Sequence, residues 1–167
     1  MSQFNAAGPV KTIADRFQYC TFWLGNRLFG VDITDVKEVH PQADITPVYH
    51  APENVKGYVN IRGQIHLILD LAKILGLGAQ QAGGKCCLVI FKHTVAEPFG
   101  VIVDRIGDVV DVGEGQIERG RVDDKETQAL EMRTELVRHI CKLEKNLLVA
   151  LNARRLLECV ATNKEGN

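Results

Sequence analysis

The sequence predicts a mainly β chain built as two small β-barrels packed together. Three observations carry that prediction: part of the chain is written twice, apolar residues alternate in many short runs, and little of the sequence has helical spacing. The repeat is clearest between VKGYVNIRGQIHLILDLAKILGL at 55–77 and VRHICKLEKNLLVALNARRLLE at 137–158, offset by 82. Ile65 falls on Leu147, Leu67 on Val149, Leu69 on Leu151 and Asp70 on Asn152. Upstream, FGVDITDVKEV from Phe29 matches FGVIVDRIGDV from Phe99 at an offset of 70, which pairs Val36 with Ile106, Glu38 with Asp108 and Val39 with Val109. The growth of the offset puts about 12 additional residues in the second half, and the polar run at 113–134 is the place for them.

Taken in order, residues 1–15 have no periodicity and read as a flexible tail. A strand over 17–24 carries apolar residues on both faces, and Gly25-Asn26 turns it into a second strand over 28–33. The spacing of Val36 and Val39 predicts about one and a half helical turns over 34–39, with Lys37 and Glu38 pointing elsewhere and Pro41 ending them. Prolines at 41, 47 and 52 make the next segment extended loop.

In the repeated unit, Arg62-Gly63 makes a tight turn and Ile65, Leu67 and Leu69 alternate as a strand. Leu71, Ile74 and Leu75 then take helical spacing. Asp70 and Asn152 stand where helix N-caps belong, and Gly76 with Gly78 ends the first helix. His66 alternates out of the Ile65/Leu67/Leu69 face, which predicts a place on the outer wall of its barrel. A linker at 78–84 leads to strands over 86–91, 99–104 and 109–112. A loose helical turn near 128–132, strands over 136–143 and 147–151 and a helix over 153–158 follow, with fraying from Thr162.

Composition narrows the function classes. The 167 residues carry 20 basic and 21 acidic side chains, so no overall field favours phosphate backbones or anionic lipid, and any partner is recognised by a local surface. The sequence lacks a signal-peptide pattern, and no apolar run approaches the roughly 20 residues of a membrane span, which points to a cytoplasmic protein without direct membrane insertion. Cys20, Cys86, Cys87, Cys141 and Cys159 fall in apolar patterns without CxxC spacing and are expected as reduced thiols buried as small hydrophobes. Serine occurs only at Ser2, which removes a serine nucleophile supported by a rigid base. His40, His50, His66, His93 and His139 form no metal-ligand spacing, no phosphate-cradling loop is present, and the acidic pairs Asp108/Asp111 and Asp123/Asp124 read as solvated turn residues. No metal, cofactor or catalysis is expected. Nucleic-acid binding by a barrel stays a minor alternative, since aromatics make up 6% and basic residues are interleaved with acids.

The combination of Leu24-Gly25, FGVDI at 29–33, Lys56-Gly57, NIRG at 60–63 and Asp70-Leu71, in this order, resembles the CheW family. These are the adaptor proteins that couple bacterial chemoreceptors to the histidine kinase CheA, and the resemblance covers about 17–158. It implies two five-stranded, SH3-like barrels around a shared hydrophobic core, with short helices and no catalysis. The expected organisation is a single domain over 16–160, with a first barrel at about 16–82, a second at about 84–160, exchange of a strand or helix between them left open, and a second tail at 161–167. The resemblance implies that the cytoplasmic tip of a methyl-accepting chemoreceptor docks at a groove between the barrels, through positions that correspond to Val36, Glu38, Gly57 and Arg62. The kinase's regulatory domain is expected on other barrel surfaces. Ile106 and Val109, the second-half partners of Val36 and Val39, are weaker candidates for the groove or the kinase face, with core packing favoured. The chain departs from the family's usual pattern at Leu67, Ala72 and His139, where proline, arginine and glycine are common.

The expected function is therefore a non-enzymatic adaptor, cytoplasmic and recruited to membrane-associated receptor arrays. An adaptor of a related chemosensory pathway, for pilus motility or another output, is the alternative.

Overall fold

The computed structural model describes residues 16–41, 44–77, 86–93, 95, 97–118 and 134–165. The sequence expectations for the tail at 1–15, Gly78 and the linker at 78–84, Asp123/Asp124 and the turn near 128–132 lie outside them. Among the described residues the strands are β1 (Arg16–Leu24), β2 (Arg27–Asp32), β3 (Val36–His40), β4 (Val55–Ile61), β5 (Gln64–Asp70), β6 (Cys87–Phe91), β7 (Phe99–Val103), β8 (Arg105–Gly113), β9 (Ile117–Glu118), β10 (Val137–Lys142) and β11 (Leu147–Leu151). The helices are α1 (Leu71–Leu75) and α2 (Ala153–Glu165).

As the sequence predicts, the chain is mainly β, and its strands form two sheets. One has six strands in the order β8-β1-β2-β11-β10-β9, and the other five in the order β3-β6-β7-β5-β4. Each sheet draws strands from both halves of the chain. β2 lies parallel to β11 and β5 parallel to β7, while β8 pairs antiparallel with β1 and β3 with β6. The chain first crosses between sheets at a 3-10 turn, Ile33–Asp35, where the Asp32 carboxylate accepts bonds from the Thr34 N–H at 2.9 Å and its hydroxyl at 2.7 Å. It crosses back at Asp104, whose carboxylate accepts the Gly25 N–H at 2.6 Å.

The two-residue period of a strand explains why so many strands are apolar on both faces. In β1, Cys20, Phe22 and Leu24 join a large central cluster with Phe29, Val31, Leu69, Phe91, Phe99 and Val149. Tyr19 belongs instead to a smaller cluster with Leu28, Val112, Cys141, Leu148 and Ala150, against which Phe17 and Trp23 pack. β5 and β6 repeat the split: Leu69, Val89 and Phe91 enter the central cluster, while Ile68, Leu88 and Ile90 meet Val59 and Ile61 in a third. Each sheet thus gives one face to a shared core and keeps a cluster of its own on the other.

The helices close the central cluster with Leu71, Ile74 and Leu75 from α1 and Leu156 from α2. Their caps are those the sequence predicts. Asp70 Oδ1 accepts the Lys73 N–H at 3.2 Å, Asn152 Oδ1 accepts the Arg154 N–H at 3.2 Å, and Gly76 ends α1 in the left-handed conformation at φ 81°. The duplication reaches further than the sequence alone reveals: Thr46 bridges Tyr58 beside β4, and at the matching place Glu118 of β9 pairs with Ile140 of β10.

Four expectations are corrected. Residues 34–39 are not helical; the 3-10 turn is followed directly by β3, because two β-branched valines meet the free edge of β6 and the Asp32 cap holds only one turn. A register shift between Val36 and Glu38 sets Val36 opposite Phe91 and Val39 opposite Val89, so both valines still share a face. His66 is not on an outer wall: it pairs with Val59 and is buried, since the alternate face of β5 is the one that meets the third cluster. Of the cysteines, Cys20 and Cys141 are buried, Cys87 and Cys159 are partly covered, and Cys86 is exposed just before β6 begins. The terminal helix continues to Glu165, past the point where fraying was expected.

Candidate partner-docking surface

The surface that brings sequence-predicted residues together lies where β3 meets the turn between β4 and β5. Arg62 and Gly63 occupy that turn with φ 53° and 85°, the pair of left-handed residues a two-residue hairpin of the primed type requires. The Asn60 side-chain oxygen accepts the Gly63 N–H at 2.9 Å and locks the turn. Arg62 itself is exposed, with 74% of its side chain open to solvent.

From there Arg62 Nη1 donates to Glu38 Oε2 at 2.8 Å. The other carboxylate oxygen of Glu38 is in hydrogen-bond contact with His40 Nε2, and Lys37 Nζ reaches Gln64 Oε1 at 3.4 Å. β3 is one edge strand of its sheet and β4 the other, so these contacts link one edge of the sheet to the hairpin at the opposite edge. The hydrogen bond from His40, reinforced by the Arg62 guanidinium and partly opposed by desolvation, holds the Glu38 carboxyl below the usual carboxylate range.

The remaining candidates are distributed differently. Val36 is half-buried against the central cluster. Gly57 is buried at a register shift in the β4–β5 ladder, with φ 148°, and a Cβ there would lie 2.1 Å from the Thr46 carbonyl oxygen. The contact is tight because Thr46 and Tyr58 exchange backbone bonds of 2.7 and 2.8 Å. Ile106 and Val109 lie on β8, the outer strand of the other sheet. Ile106 packs against the central cluster and Val109 is 55% exposed. The structure therefore joins Glu38 and Arg62 on one surface, turns Val36 toward the central cluster on the other face of β3, and buries Gly57 in β4 against Thr46.

Sequence reasoning missed three neighbours. His40 is two residues beyond Glu38, and strand spacing rather than helical spacing would have placed both on one face. Tyr58 and Ile65 share a face of the β4–β5 hairpin and remain 42% and 54% exposed, so the alternating stripe that ends in the core at Leu69 starts outside it. Among the described residues no group of three His, Cys, Asp or Glu is arranged to hold a metal.

A family model of the CheW-like domain matches residues 18–160. The chain belongs to the CheW family. A chemotaxis protein CheW from Thermotoga maritima is 29% identical over 160 residues, covering 94% of this chain and 99% of that protein. The CheW of Treponema pallidum is 32% identical over 117 residues, or 66% of each. Among solved structures, the CheW scaffolding protein of Thermoanaerobacter tengcongensis superposes with a TM-score of 0.73 at 27% identity, covering 85% of this chain and 92% of the other. That protein is a scaffolding protein, and the superposition over 85% of this chain shows that the two share a fold.

Proposed function

We propose that this CheW-family chain is a non-enzymatic coupling adaptor that binds the cytoplasmic tip of a chemoreceptor and the regulatory domain of the histidine kinase CheA at once. It raises their effective concentration and fixes their relative geometry. The receptor contact is assigned to Glu38 and Arg62, with Val36 and Gly57 shaping the strands that carry them. Ile106 and Val109 are the candidates for a second contact, and the exposure of Val109 makes it the stronger of the two. The working unit is the single domain at 16–160, acting in the cytoplasm and recruited to receptor arrays through its partners. Among the described residues no helix is long and apolar enough to cross a membrane.

The observation that carries this reading is the state of Arg62. A hairpin turn selected for stability alone would carry Asn or Asp before the glycine, yet here a bulky arginine stands at φ 53° with its guanidinium already oriented by Glu38. A planar group with five donors, exposed and held at one end, is suited to a carboxylate or carbonyl on a partner. Signal transmission further requires that receptor or kinase states bind with different affinity, since an adaptor indifferent to state shifts nothing.

Calorimetry of the chain against a receptor cytoplasmic fragment tests the assignment. Arg62→Ala is expected to weaken binding by about tenfold or more while leaving the kinase domain's affinity unchanged. Wild-type affinity for the receptor fragment in folded Arg62→Ala would contradict it.

A further inference from the structure

His40 closes β3 with no part yet assigned to it. Two-residue spacing along the strand puts His40 and Glu38 on one face, opposite Leu88 and Ile90 of β6. Glu38 divides its two oxygens: Oε2 takes the Arg62 guanidinium and Oε1 meets His40 Nε2. A carboxylate only accepts, so the imidazole supplies the N–H. The Glu38 side chain is 18% exposed and that of His40 26%, whereas that of Arg62 is 74% exposed, so the chain of contacts runs from a covered carboxylate outward to an open cation.

We propose that His40 is a positioning residue for the docking surface: by holding one oxygen of Glu38 it fixes the carboxylate plane, and the fixed carboxylate holds Arg62 in the orientation offered to the receptor. This rests on the reading of Glu38 and Arg62 as receptor contacts. The physical reason is preorganisation. An exposed arginine loses rotamer freedom when a partner grips it, and the loss is smaller if the free protein already restricts the side chain. Glu38 alone is a poor clamp, because a carboxylate bonded through one oxygen can still pivot about its terminal torsion. With the second oxygen engaged from its own strand the pivot is closed, and the guanidinium inherits the order. Lys37 binds Gln64 rather than Glu38, so among the described contacts it does not duplicate the imidazole.

The test compares His40→Leu, which keeps bulk and removes the donor, with His40→Gln, which keeps a neutral N–H donor. Each is titrated by calorimetry into the receptor cytoplasmic fragment, in wild-type and Arg62→Ala backgrounds, with urea unfolding as the check on folding. His40→Leu is expected to weaken binding by about 3- to 10-fold, the scale of one lost hydrogen bond, and His40→Gln to stay within about twofold of wild type. In the Arg62→Ala background the His40→Leu effect should shrink, because the larger part of it passes through the arginine. If folded His40→Leu binds as wild type does while Arg62→Ala loses binding, the positioning role is wrong and the docking surface stands. An undiminished His40→Leu effect on top of Arg62→Ala, or failure of His40→Gln to rescue, also overturns the role. If Arg62→Ala itself binds normally, the docking reading fails and the proposal falls with it.

Discussion

Replacing Gly57 with alanine is the perturbation whose magnitude the structure constrains most tightly. The new Cβ would stand 2.1 Å from the Thr46 carbonyl oxygen and 2.8 Å from its carbon, and both obstacles are backbone, with no rotamer to move them aside. The backbone at 57 also has φ 148°, where an L side chain is strained by about 1–3 kcal/mol. Forcing an atom into a filled site adds about 1–3 kcal/mol more. Relief requires residues 45–46 to leave β4, which gives up the two bonds between Thr46 and Tyr58, each worth about 0.5–1.5 kcal/mol. These are alternative routes rather than independent losses, so the expected total is about 3–5 kcal/mol, a large part of a typical domain's stability. Urea unfolding should show a lower midpoint at unchanged slope, with the melting temperature down by about 2–4 °C for each kcal/mol. Gly63→Ala is the control: nothing lies within 4 Å of a Cβ there, so only the strain of φ 85° remains, about 1–2 kcal/mol. A Gly57→Ala loss no larger than that of Gly63→Ala would mean that the 45–46 segment is not fixed on β4 as described, and the reasoning would fail.

Other outcomes follow from the same contacts. Because the Glu38 carboxyl titrates below its ordinary value of 4.5, ionised Glu38 favours the folded state above that pH, and the benefit is lost as pH falls through the lowered value. Glu38→Gln should therefore lose less stability than wild type between about pH 5 and pH 3, measured as urea midpoints across that range. With its arginine open to solvent, the Glu38–Arg62 pair contributes at most about 1 kcal/mol, so Arg62→Ala should melt within a few degrees of wild type by circular dichroism. Tyr19 is fully buried, its hydroxyl has no partner among the described residues, and burial pushes its pKa up to about 12. Tyr19→Phe should therefore be neutral or stabilising by up to about 1–2 kcal/mol in urea at pH 7. With the folded value raised, the wild type should lose stability between about pH 10 and pH 12, and the variant should lack that share of the loss.

Much of this fold could be read in the sequence because its signals are local. Gly25-Asn26 and Arg62-Gly63 set hairpin turns, Asp70 and Asn152 cap helices, and the offsets of 70 and 82 mark two related halves. What escaped was decided at a distance. Six residues at 34–39 are too few for periodicity to distinguish a turn of helix from a strand, and the choice was made by β6, about fifty residues further on. His66 was misplaced because alternation names two faces without saying which is outside, and here the second face meets a cluster of its own. Glu38 and Arg62 were both singled out, but nothing in a separation of 24 residues says that they bond. His40 carried no signal until the strand put it beside Glu38.

The central claim, that the chain couples receptor to kinase, is tested most directly by reconstitution with purified parts. A receptor cytoplasmic fragment assembled on vesicles would be sedimented with the kinase regulatory domain, with and without the chain, and the kinase domain in the pellet measured. Coupling predicts that the kinase domain sediments only when the chain is present, and that folded Arg62→Ala removes it from the pellet while still binding it in solution. Kinase recovery independent of the chain, or a folded chain that binds neither partner, would contradict the account.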